Sequence, residues 1–555
     1  MSKSIKSFIF LSILLLLVCG CAYQGGTKQG VAFKNNLAGQ PVLVGDKPCI
    51  FPLVNQPTKL NVLSFNGFAT KYDDVFVWQR YEQMTGVDIV WTTVKRKDLE
   101  EAVFTALMNR ADMDLFLRCK IDGSRQIQYG QKGLILDLAK DDLLKKNAPN
   151  CWAYLQSHPD TLASVLNPDG SIYSLPQVNS GAELRIARKI FINKKWLQNL
   201  NLPLPKTTEE MYQVLKAFKE KDANNNGDPN DEIPLCSADW QSVQQAFYGS
   251  FGLMNRGMHN EMVDCDESTG KVRLIAATPG YRDFLEYFQK LYAEGLLVHN
   301  IFIMTQEEWM NNALNDRIGV YCDTNLARFP VALEENWIGI PEALEGPNGD
   351  KMCAAVRANF HSTGNAIIPA ACKDPALVLR WLDYFWTDAG TLFYHMGEEG
   401  KTYVAKADGS YDYMPYIYED MRKNKLSFDA TVSKYTPYPG GNNPTVETAP
   451  YFRGGEMASV PAETARALYK YRPKVCWPNF TFTTDESDAL DLLTDDINKY
   501  CRDMRFAFVT GELPMSAWDN YLEQLHRFRT QEMLAIYQKA VDRYDSFSKG
   551  VKNTQ

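Results

Sequence analysis

The chain has 555 residues, 45% of them hydrophobic, and a formal net charge of −8 at pH 7. Its length favours two or three folding units over one. Acidic and basic residues are interspersed without a basic block, so the pattern expected of a nucleic-acid-binding or anionic-membrane-binding surface is absent. We therefore expect no nucleic-acid partner, and a neutral or mildly charged solute is easier to accommodate.

The first twenty residues have the pattern of an export signal. Lys3 and Lys6 precede the apolar stretch 8–18, which is far shorter than the roughly 20 residues of a membrane-spanning helix. Gly20 before Cys21 is similar to the bacterial lipoprotein box, in which the cysteine sulfur receives a diacylglyceryl group and becomes the mature N-terminus. Acyl chains such as palmitate then hold the protein at the cell membrane, on its extracytoplasmic face. The alternative is an ordinary cleaved secretory leader.

Ten further cysteines follow Cys21, at widely separated positions. None of them forms the short paired spacing of a zinc ribbon or a thioredoxin-like site, so we expect no zinc site. An exported protein can form disulfides, but the spacing does not reveal their connectivity.

Residues 22–47 are rich in Gly, Gln, Lys and Asn and have no helical or strand period, which predicts a flexible tether, with order from about Phe51. Residues 60–65 then predict a buried strand. Asp73 or Asp74 is expected to cap the next helix, which Gly86 ends.

Strands and helices alternate in the next part of the chain. The segment 87–91 alternates as a strand, 99–107 has an apolar helical stripe, and 114–117 predicts another strand. This order predicts an open, largely parallel α/β sheet. A similar pattern restarts at Phe191, with Thr207 and Glu210 at capping-box spacing, and predicts a second lobe.

Several segments together resemble one protein family, the extracellular solute-binding lipoproteins of bacterial carbohydrate ABC transporters, particularly members that bind oligosaccharides. The resemblance spans roughly Phe51 to Tyr544. Its segments are FPLVNQPTKLNVLSF from Phe51, QKGLILDL from Gln131, DGSIYSLP from Asp169, FINKKWLQNLNLPLPKTTEEMYQVLKAF from Phe191, GEEGKTY from Gly397 and VTGELPMSAWDNYLEQL from Val509.

The resemblance implies an α/β fold of the two-lobed type 2 periplasmic-binding-protein kind, with the ligand in a cleft between the lobes. The expected division is a signal peptide at 1–20, a lipidated tether at 21–50, N-lobe segments at 51–183 and 365–445, and C-lobe segments at 184–364 and 446–555. It implies a monomer that captures an oligosaccharide for ABC permease subunits and is not an enzyme.

The loop DANNNGDPNDEI, 222–233, predicts a site for a hard cation, because its side-chain oxygens alternate around a glycine. Its spacing departs from the EF-hand, since the glutamate falls one place early. The loop resembles the calcium loop of the same family, which implies structural calcium. The alternative is a solvated turn. The expected ligands are Asp222, Asn224, Asn226, Asp228, Asp231 and Glu232.

Sugar binding requires aromatic faces and planar polar side chains, and strand ends of an α/β sheet face the crevice. Residues after predicted strands or in comparable loops are therefore our candidates, although a core aromatic or a surface ion pair is the competing explanation for each. The candidate ligand-binding residues are Asn66, Arg118, Asp122, Trp240, Asp323, His361, Glu399, Tyr451 and Arg453.

Two other classes of function stay open from the sequence. Glu398 and Glu399, with Asp323, could supply the carboxylate pair of a glycoside hydrolase, although no serine-hydrolase, zinc-protease or phosphate-loop motif is present. A peptide-binding or sensory lipoprotein on the same scaffold is the other alternative.

Overall fold

The structure is a computed structural model that describes residues 41–44, 47–65, 67–68, 71–329, 331–407, 409–424, 426–451 and 455–553. Three predicted positions, Cys21, Asn66 and Arg453, lie outside these ranges. No helix in the described ranges is both long enough and apolar enough to cross a membrane.

The strands are β1 (Pro41–Val44), β2 (Lys47–Ile50), β3 (Thr58–Phe65), β4 (Val87–Val94), β5 (Leu115–Leu117), β6 (Leu175–Ser180), β7 (Lys189–Asn193), β8 (Ile233–Leu235), β9 (Val263–Cys265), β10 (Val272–Leu274), β11 (Ile318–Asp323), β12 (Trp337–Gly339), β13 (Phe360–Ile367), β14 (Tyr403–Ala405), β15 (Tyr411–Tyr413) and β16 (Val446–Thr448).

The helices are α1 (Phe76–Thr85), α2 (Leu99–Met108), α3 (Gly123–Gln131), α4 (Leu143–Asn147), α5 (Pro149–Ser157), α6 (Pro159–Val165), α7 (Ala182–Arg185), α8 (Lys194–Asn199), α9 (Thr208–Glu220), α10 (Trp240–Phe247), α11 (Pro279–Ala293), α12 (Gln306–Leu314), α13 (Val331–Glu334), α14 (Pro375–Asp383), α15 (Asp388–Met396), α16 (Pro415–Asn424), α17 (Phe428–Val432), α18 (Ser459–Leu468), α19 (Thr484–Thr510), α20 (Trp518–Arg527) and α21 (Thr530–Asn553).

The N-lobe is built on a sheet with the strand order β16-β6-β13-β5-β3-β4. Strand β3 runs parallel to β4 and β5, whereas β13 is antiparallel to β5 and β6. Helix α1 buries Val77, Trp78 and Tyr81 against this lobe and ends at Gly86, whose φ of 73° is left-handed. The predicted cap is wrong, because Val75 is the N-cap residue of α1 and Asp73 and Asp74 belong to the preceding 3-10 turn.

The C-lobe is built on a smaller sheet with the order β12-β7-β11-β8. Helix α9 begins as predicted, because the Thr207 side chain accepts a hydrogen bond from the Glu210 N–H. Its face of Met211, Leu215 and Phe218 is buried in the C-lobe core.

The chain passes between the lobes more than once, since β6 and β13 belong to the first sheet and β7, β8, β11 and β12 to the second. The expected division at residue 364 falls inside β13, and the one at 446 falls at the start of β16, which pairs with β6. Within the segment predicted as a tether, β1 and β2 pair antiparallel, with Pro41 opposite Ile50 and Val44 opposite Lys47. Val42 and Val44 are β-branched, which favours a strand over a flexible segment.

Candidate functional site

A cavity of about 350 Å³ lies between the two lobes. Gln177 and Asn179 line it from β6 of the N-lobe, and Asn325 lines it from the segment that follows β11 of the C-lobe. Arg357 and His361 line it from the passage into β13. The walls therefore combine the ends of strands from both sheets, which is the usual location of ligands in α/β folds.

A chain of buried amides fixes the N-lobe wall of this cavity. The Gln177 amide donates to Asn179 Oδ1 at 3.2 Å, and Gln177 Oε1 accepts from the Asn443 N–H at 3.1 Å. The Asn443 amide in turn donates to Glu447 Oε1 at 2.7 Å. Because each group holds the next, the polar atoms of this wall are held in position before any ligand arrives.

Three carboxyl groups line the cavity, those of Asp429, Glu447 and Glu456. Burial raises the pKa of Glu447 to about 7. Burial also raises the pKa of Asp429, and the nearby charge of Glu456 adds to the increase. Carboxyl groups close to one another in a cavity of this kind are well placed to accept hydrogen bonds from hydroxyl groups of a bound molecule.

The cavity wall has fewer basic side chains than acidic ones. Arg357 donates from one guanidinium nitrogen to the Leu184 carbonyl at 2.8 Å, and burial lowers its pKa. Burial, and then the charge of Arg357, lower the pKa of His361 to about 3, so its ring is neutral at physiological pH. His361 Nδ1 is buried with no hydrogen-bond partner in the described structure. Of the predicted ligand-binding residues that the structure describes, His361 alone lines this cavity.

Arg118 is buried behind the cavity wall and does not reach the cavity. Its guanidinium donates to the carbonyls of Pro437, Pro439 and Gly441 at 2.6–3.0 Å and to the hydroxyl of Tyr72 at 3.1 Å. These five hydrogen bonds occupy the guanidinium, so Arg118 does not line the cavity as the sequence predicted. Pro439 and Gly441 line the cavity, so Arg118 supports the loop that forms its wall.

Trp240, another predicted ligand-binding residue, lies in the C-lobe core and lines neither interlobe cavity. The side chain is 7% exposed and packs among Phe284, Phe288 and Phe302, with ring centroids 4.8–6.1 Å away. Its indole N–H donates to Gln244 Oε1 at 2.9 Å. Trp240 is the first residue of α10, and its ring fills the space between this helix and α11 instead of pointing to the cleft.

Asp122 lines a second cavity of about 360 Å³ between the lobes, together with Phe360 and Ser362 of β13. Since successive side chains of a strand point to opposite faces, this cavity lies on the other side of β13 from the one that His361 lines. The Asp122 carboxylate caps α3 by accepting from the Arg125 N–H at 3.0 Å.

The predicted residues Asp323 and Tyr451 have other partners and line neither interlobe cavity. The Asp323 carboxylate accepts from the Tyr321 hydroxyl at 2.6 Å and from Arg328 Nε at 3.0 Å. Tyr451 packs on the N-lobe core, with its ring centroid 5.4 Å from that of Tyr411.

The predicted residue Glu399 is exposed on the loop before β14 and lines neither of these cavities. Its neighbour Glu398 is buried and pairs with Arg80 Nε and Lys401 Nζ, each at 3.1 Å. The carboxylates considered for a hydrolase are therefore occupied by structural partners or directed to solvent.

The sequence missed most of the cavity wall, although one signal was available. The strand-end rule selected Asp323, the last residue of β11, whereas the residue that lines the cavity is Asn325, two positions further on. Asn179 stands near the end of β6, before Gly181, and the same rule could have selected it.

The predicted cation loop folds around Asp222. Its carboxylate accepts from the N–H groups of Asn226 and Gly227 at 3.0 and 2.8 Å, and Gly227 has the left-handed φ of 93° that the turn requires. The side-chain amides of Asn224 and Asn226 contact Asp231 at 3.1 and 3.0 Å. Four of the predicted oxygen-bearing side chains are therefore gathered at one point.

The remaining two predicted ligands differ in their placement. Glu232 Oε1 accepts from the Ala223 N–H at 2.8 Å, while its Oε2 is buried without a hydrogen-bond partner in the described structure. Asp228 Oδ1 accepts from the Asn230 N–H at 3.1 Å. Within the described ranges, no three acidic, histidine or cysteine side chains form a metal-binding group by themselves. The residues fit a hard cation when the asparagine oxygens are counted as ligands, and the unpartnered Glu232 oxygen supports this fit.

No protein-family model matches the chain. The fructooligosaccharide ABC transporter substrate-binding protein FusA of Streptococcus pneumoniae is 25% identical over 523 residues, which cover 89% of this chain and 92% of FusA. Lipoprotein LipO of Bacillus subtilis is 29% identical over 256 residues, which cover 43% of this chain and 47% of LipO.

The similarity extends to solved structures. FusA in complex with kestose superposes with a TM-score of 0.68 at 22% identity, covering 88% of this chain and 99% of FusA. An EF-hand mutant of FusA in complex with fructo-nystose gives a TM-score of 0.67 at 22% identity, with the same coverage. The alginate-binding protein AlgQ2 without calcium ion gives 0.62 at 23% identity, covering 89% of this chain and 99% of AlgQ2. The chain therefore has the predicted two-lobed α/β fold, and its homologues and structural neighbours include oligosaccharide substrate-binding proteins of ABC transporters.

Proposed function

We propose that the chain is a substrate-binding protein that captures an oligosaccharide between its lobes for import by an ABC transporter. The observation that carries the proposal is the interlobe cavity of about 350 Å³, whose walls present amide, carboxyl and guanidinium groups at strand ends. Planar groups of this kind form paired hydrogen bonds, which suits the adjacent hydroxyls of a sugar ring. The similarity to FusA over most of both chains supports the same function.

The charges of the cavity favour a neutral sugar. Asp429, Glu447 and Glu456 line it with Arg357, while His361 is neutral. A uronic-acid chain would bring further negative charge toward these carboxyl groups, whereas neutral hydroxyls can donate hydrogen bonds to them.

Ligand binding would act through a population shift. A sugar that contacts both walls of the cavity binds the closed arrangement of the lobes more tightly than an open one, and so increases its population. We propose that the permease subunits recognise this closed form, that the protein acts as a monomer, and that lipid on Cys21 keeps it at the extracytoplasmic face of the membrane. The name of LipO as a lipoprotein supports the anchor.

Calcium is proposed as a structural cofactor of the loop 222–232. Asp222, Asn224, Asn226, Asp231 and Glu232 would supply side-chain oxygens, and Asp228 its backbone carbonyl. An ion there would neutralise the carboxylates that the loop gathers and hold the loop in one conformation. The EF-hand mutant of FusA and the calcium-free form of AlgQ2 support a calcium site in relatives.

One observation favours a second candidate, a glycoside hydrolase. Glu447 has a pKa raised to about 7, and Asp429 and Glu456 line the same cavity, so an acid and a base could both be present. The hydrogen bond from Asn443 holds Glu447 in the cavity wall, however, and the relatives are substrate-binding proteins.

A thermal-shift screen of the soluble protein from residue 51 tests the proposal and separates the two candidates. The panel contains kestose, nystose, maltotriose and trigalacturonate. We expect a neutral oligosaccharide to raise the melting temperature and to be recovered intact by chromatography after overnight incubation. No shift with any oligosaccharide would overturn the binding proposal, and shortened products would favour the hydrolase.

A further inference from the structure

A larger cavity, of about 540 Å³, lies within the C-lobe. Its walls come from α10, α11, α19 and the β10 region, and it shares no lining residue with either interlobe cavity. Its volume is within the range of sites that hold small molecules, about 300–1,000 Å³. The proposed capture of a sugar between the lobes leaves this cavity unexplained.

Three cations of α19 line this cavity. Lys499, Arg502 and Arg505 are three residues apart, so they are neighbours on the helix surface. Lys499 and Arg502 are exposed, whereas Arg505 is half-buried. The cations therefore lead from solvent into the cavity.

Arg505 has no carboxylate partner in the described structure. Its guanidinium lies beside the hydroxyls of Tyr248 and Tyr281, and its Nε is buried without a hydrogen-bond partner. Burial raises the pKa of Tyr281 to about 12 and that of Tyr248 well above its usual range, so both hydroxyls are neutral at physiological pH. A guanidinium whose Nε lacks a partner and whose neighbours are neutral keeps donor capacity for an anion.

The two carboxylates that line the cavity do not fill this role. Glu261 accepts hydrogen bonds from the amides of Gln241 and Gln245 at 2.7–2.9 Å. Asp495 is exposed.

We propose that this cavity is a second ligand site, which binds a small organic anion through a carboxylate or phosphate group at Arg505. Arginine binds both groups through paired N–H donors, which suits the free Nε edge of Arg505. Leu274 and Ala276 supply an apolar wall for the rest of the molecule, and Lys499 and Arg502 attract the anion at the entrance.

Thermal unfolding of the mature protein tests this site with four probes: inorganic phosphate, citrate, glucose 6-phosphate and glucuronate. Glucose and sodium chloride at matched ionic strength are the references. We expect at least one probe to raise the melting temperature by about 2 °C or more over both references, since a ligand that binds only the native state stabilises it. The probes distinguish a carboxylate ligand from a phosphate ligand.

Variants locate the effect. Arg505→Met removes the half-buried charge and is expected to abolish the shift, whereas Arg527→Met, at an exposed arginine of α20, retains it. If Arg505→Met does not fold, the exposed pair Lys499→Glu and Arg502→Glu provides the same test by placing negative charge at the entrance. The proposal is overturned if no probe exceeds the references, or if the shift persists in these cavity variants.

Discussion

Glu447 is a buried carboxyl group in the wall of the proposed sugar site, and its ionisation couples to stability. Its pKa is raised from 4.5 to about 7 by burial. The native state therefore keeps a proton that the unfolded chain releases. The resulting stability is complete below about pH 4.5 and is lost as the pH rises through about 7.

We predict that Glu447→Gln loses less stability than the wild type between pH 5 and pH 8, because the amide stays neutral. The difference is expected to be about 2–3 kcal/mol, at roughly 1.4 kcal/mol per pKa unit. Urea unfolding at the two pH values measures it. The exposed Glu399→Gln serves as the control, and equal pH dependence of Glu447→Gln and the wild type would contradict the prediction.

Arg118 supports the loop of the cavity wall through hydrogen bonds to the carbonyls of Pro437, Pro439 and Gly441. We predict that Arg118→Met lowers the free energy of unfolding by about 3 kcal/mol or more, because it leaves buried carbonyls without donors. Arg96→Met is a matched control: Arg96 also donates to this loop, at Gly440, and also stacks on Phe65, but it is exposed. Arg96→Met should lower the free energy of unfolding by under about 1 kcal/mol. Similar decreases in both variants would contradict the role of burial.

In our proposal, the loop 222–232 contributes to the stability of the protein only when it binds an ion. Removal of calcium by EGTA is expected to lower the melting temperature by several degrees, since an ion at a hundredfold excess over its dissociation constant adds about 2.7 kcal/mol. Asp222→Asn should abolish this response. Asp266→Asn, in a similar turn of the same lobe, should keep it. If EGTA does not change the melting temperature of the wild type, the loop is a solvated turn and not a calcium site.

At this scale the sequence predicted elements better than sites. Periodicity and capping identified β3, β4, α2 and α9, because these signals are local. Where a side chain packs depends on residues distant in sequence. Trp240 follows a strand, but the phenylalanines that enclose it come from α11 and from a loop after it. Asp323 illustrates the same limit, because the turn after β11 brings Arg328 to its carboxylate, and the strand-end rule does not foresee that contact.

At the scale of the whole molecule, the proposed lipid anchor would determine where the protein works. We predict that the mature N-terminus is a lipidated Cys21, because Gly20–Cys21 follows a short apolar core. Mass spectrometry of the N-terminal peptide from membranes checks this directly. An unmodified terminus, or Cys21→Ala that stays with the membrane, would count against it.

The central claim is that a sugar binds between the lobes, and calorimetric titration with the tightest oligosaccharide of the panel tests it most directly. We compare Asn325→Ala and Glu456→Gln in the cavity with Trp240→Phe in the core. Loss of a hydrogen bond to the sugar should weaken binding roughly tenfold in each cavity variant while the melting temperature stays near that of the wild type. Trp240→Phe should instead lower the melting temperature and leave the dissociation constant unchanged. Wild-type affinity in both cavity variants, or weakened binding only in Trp240→Phe, would contradict the account.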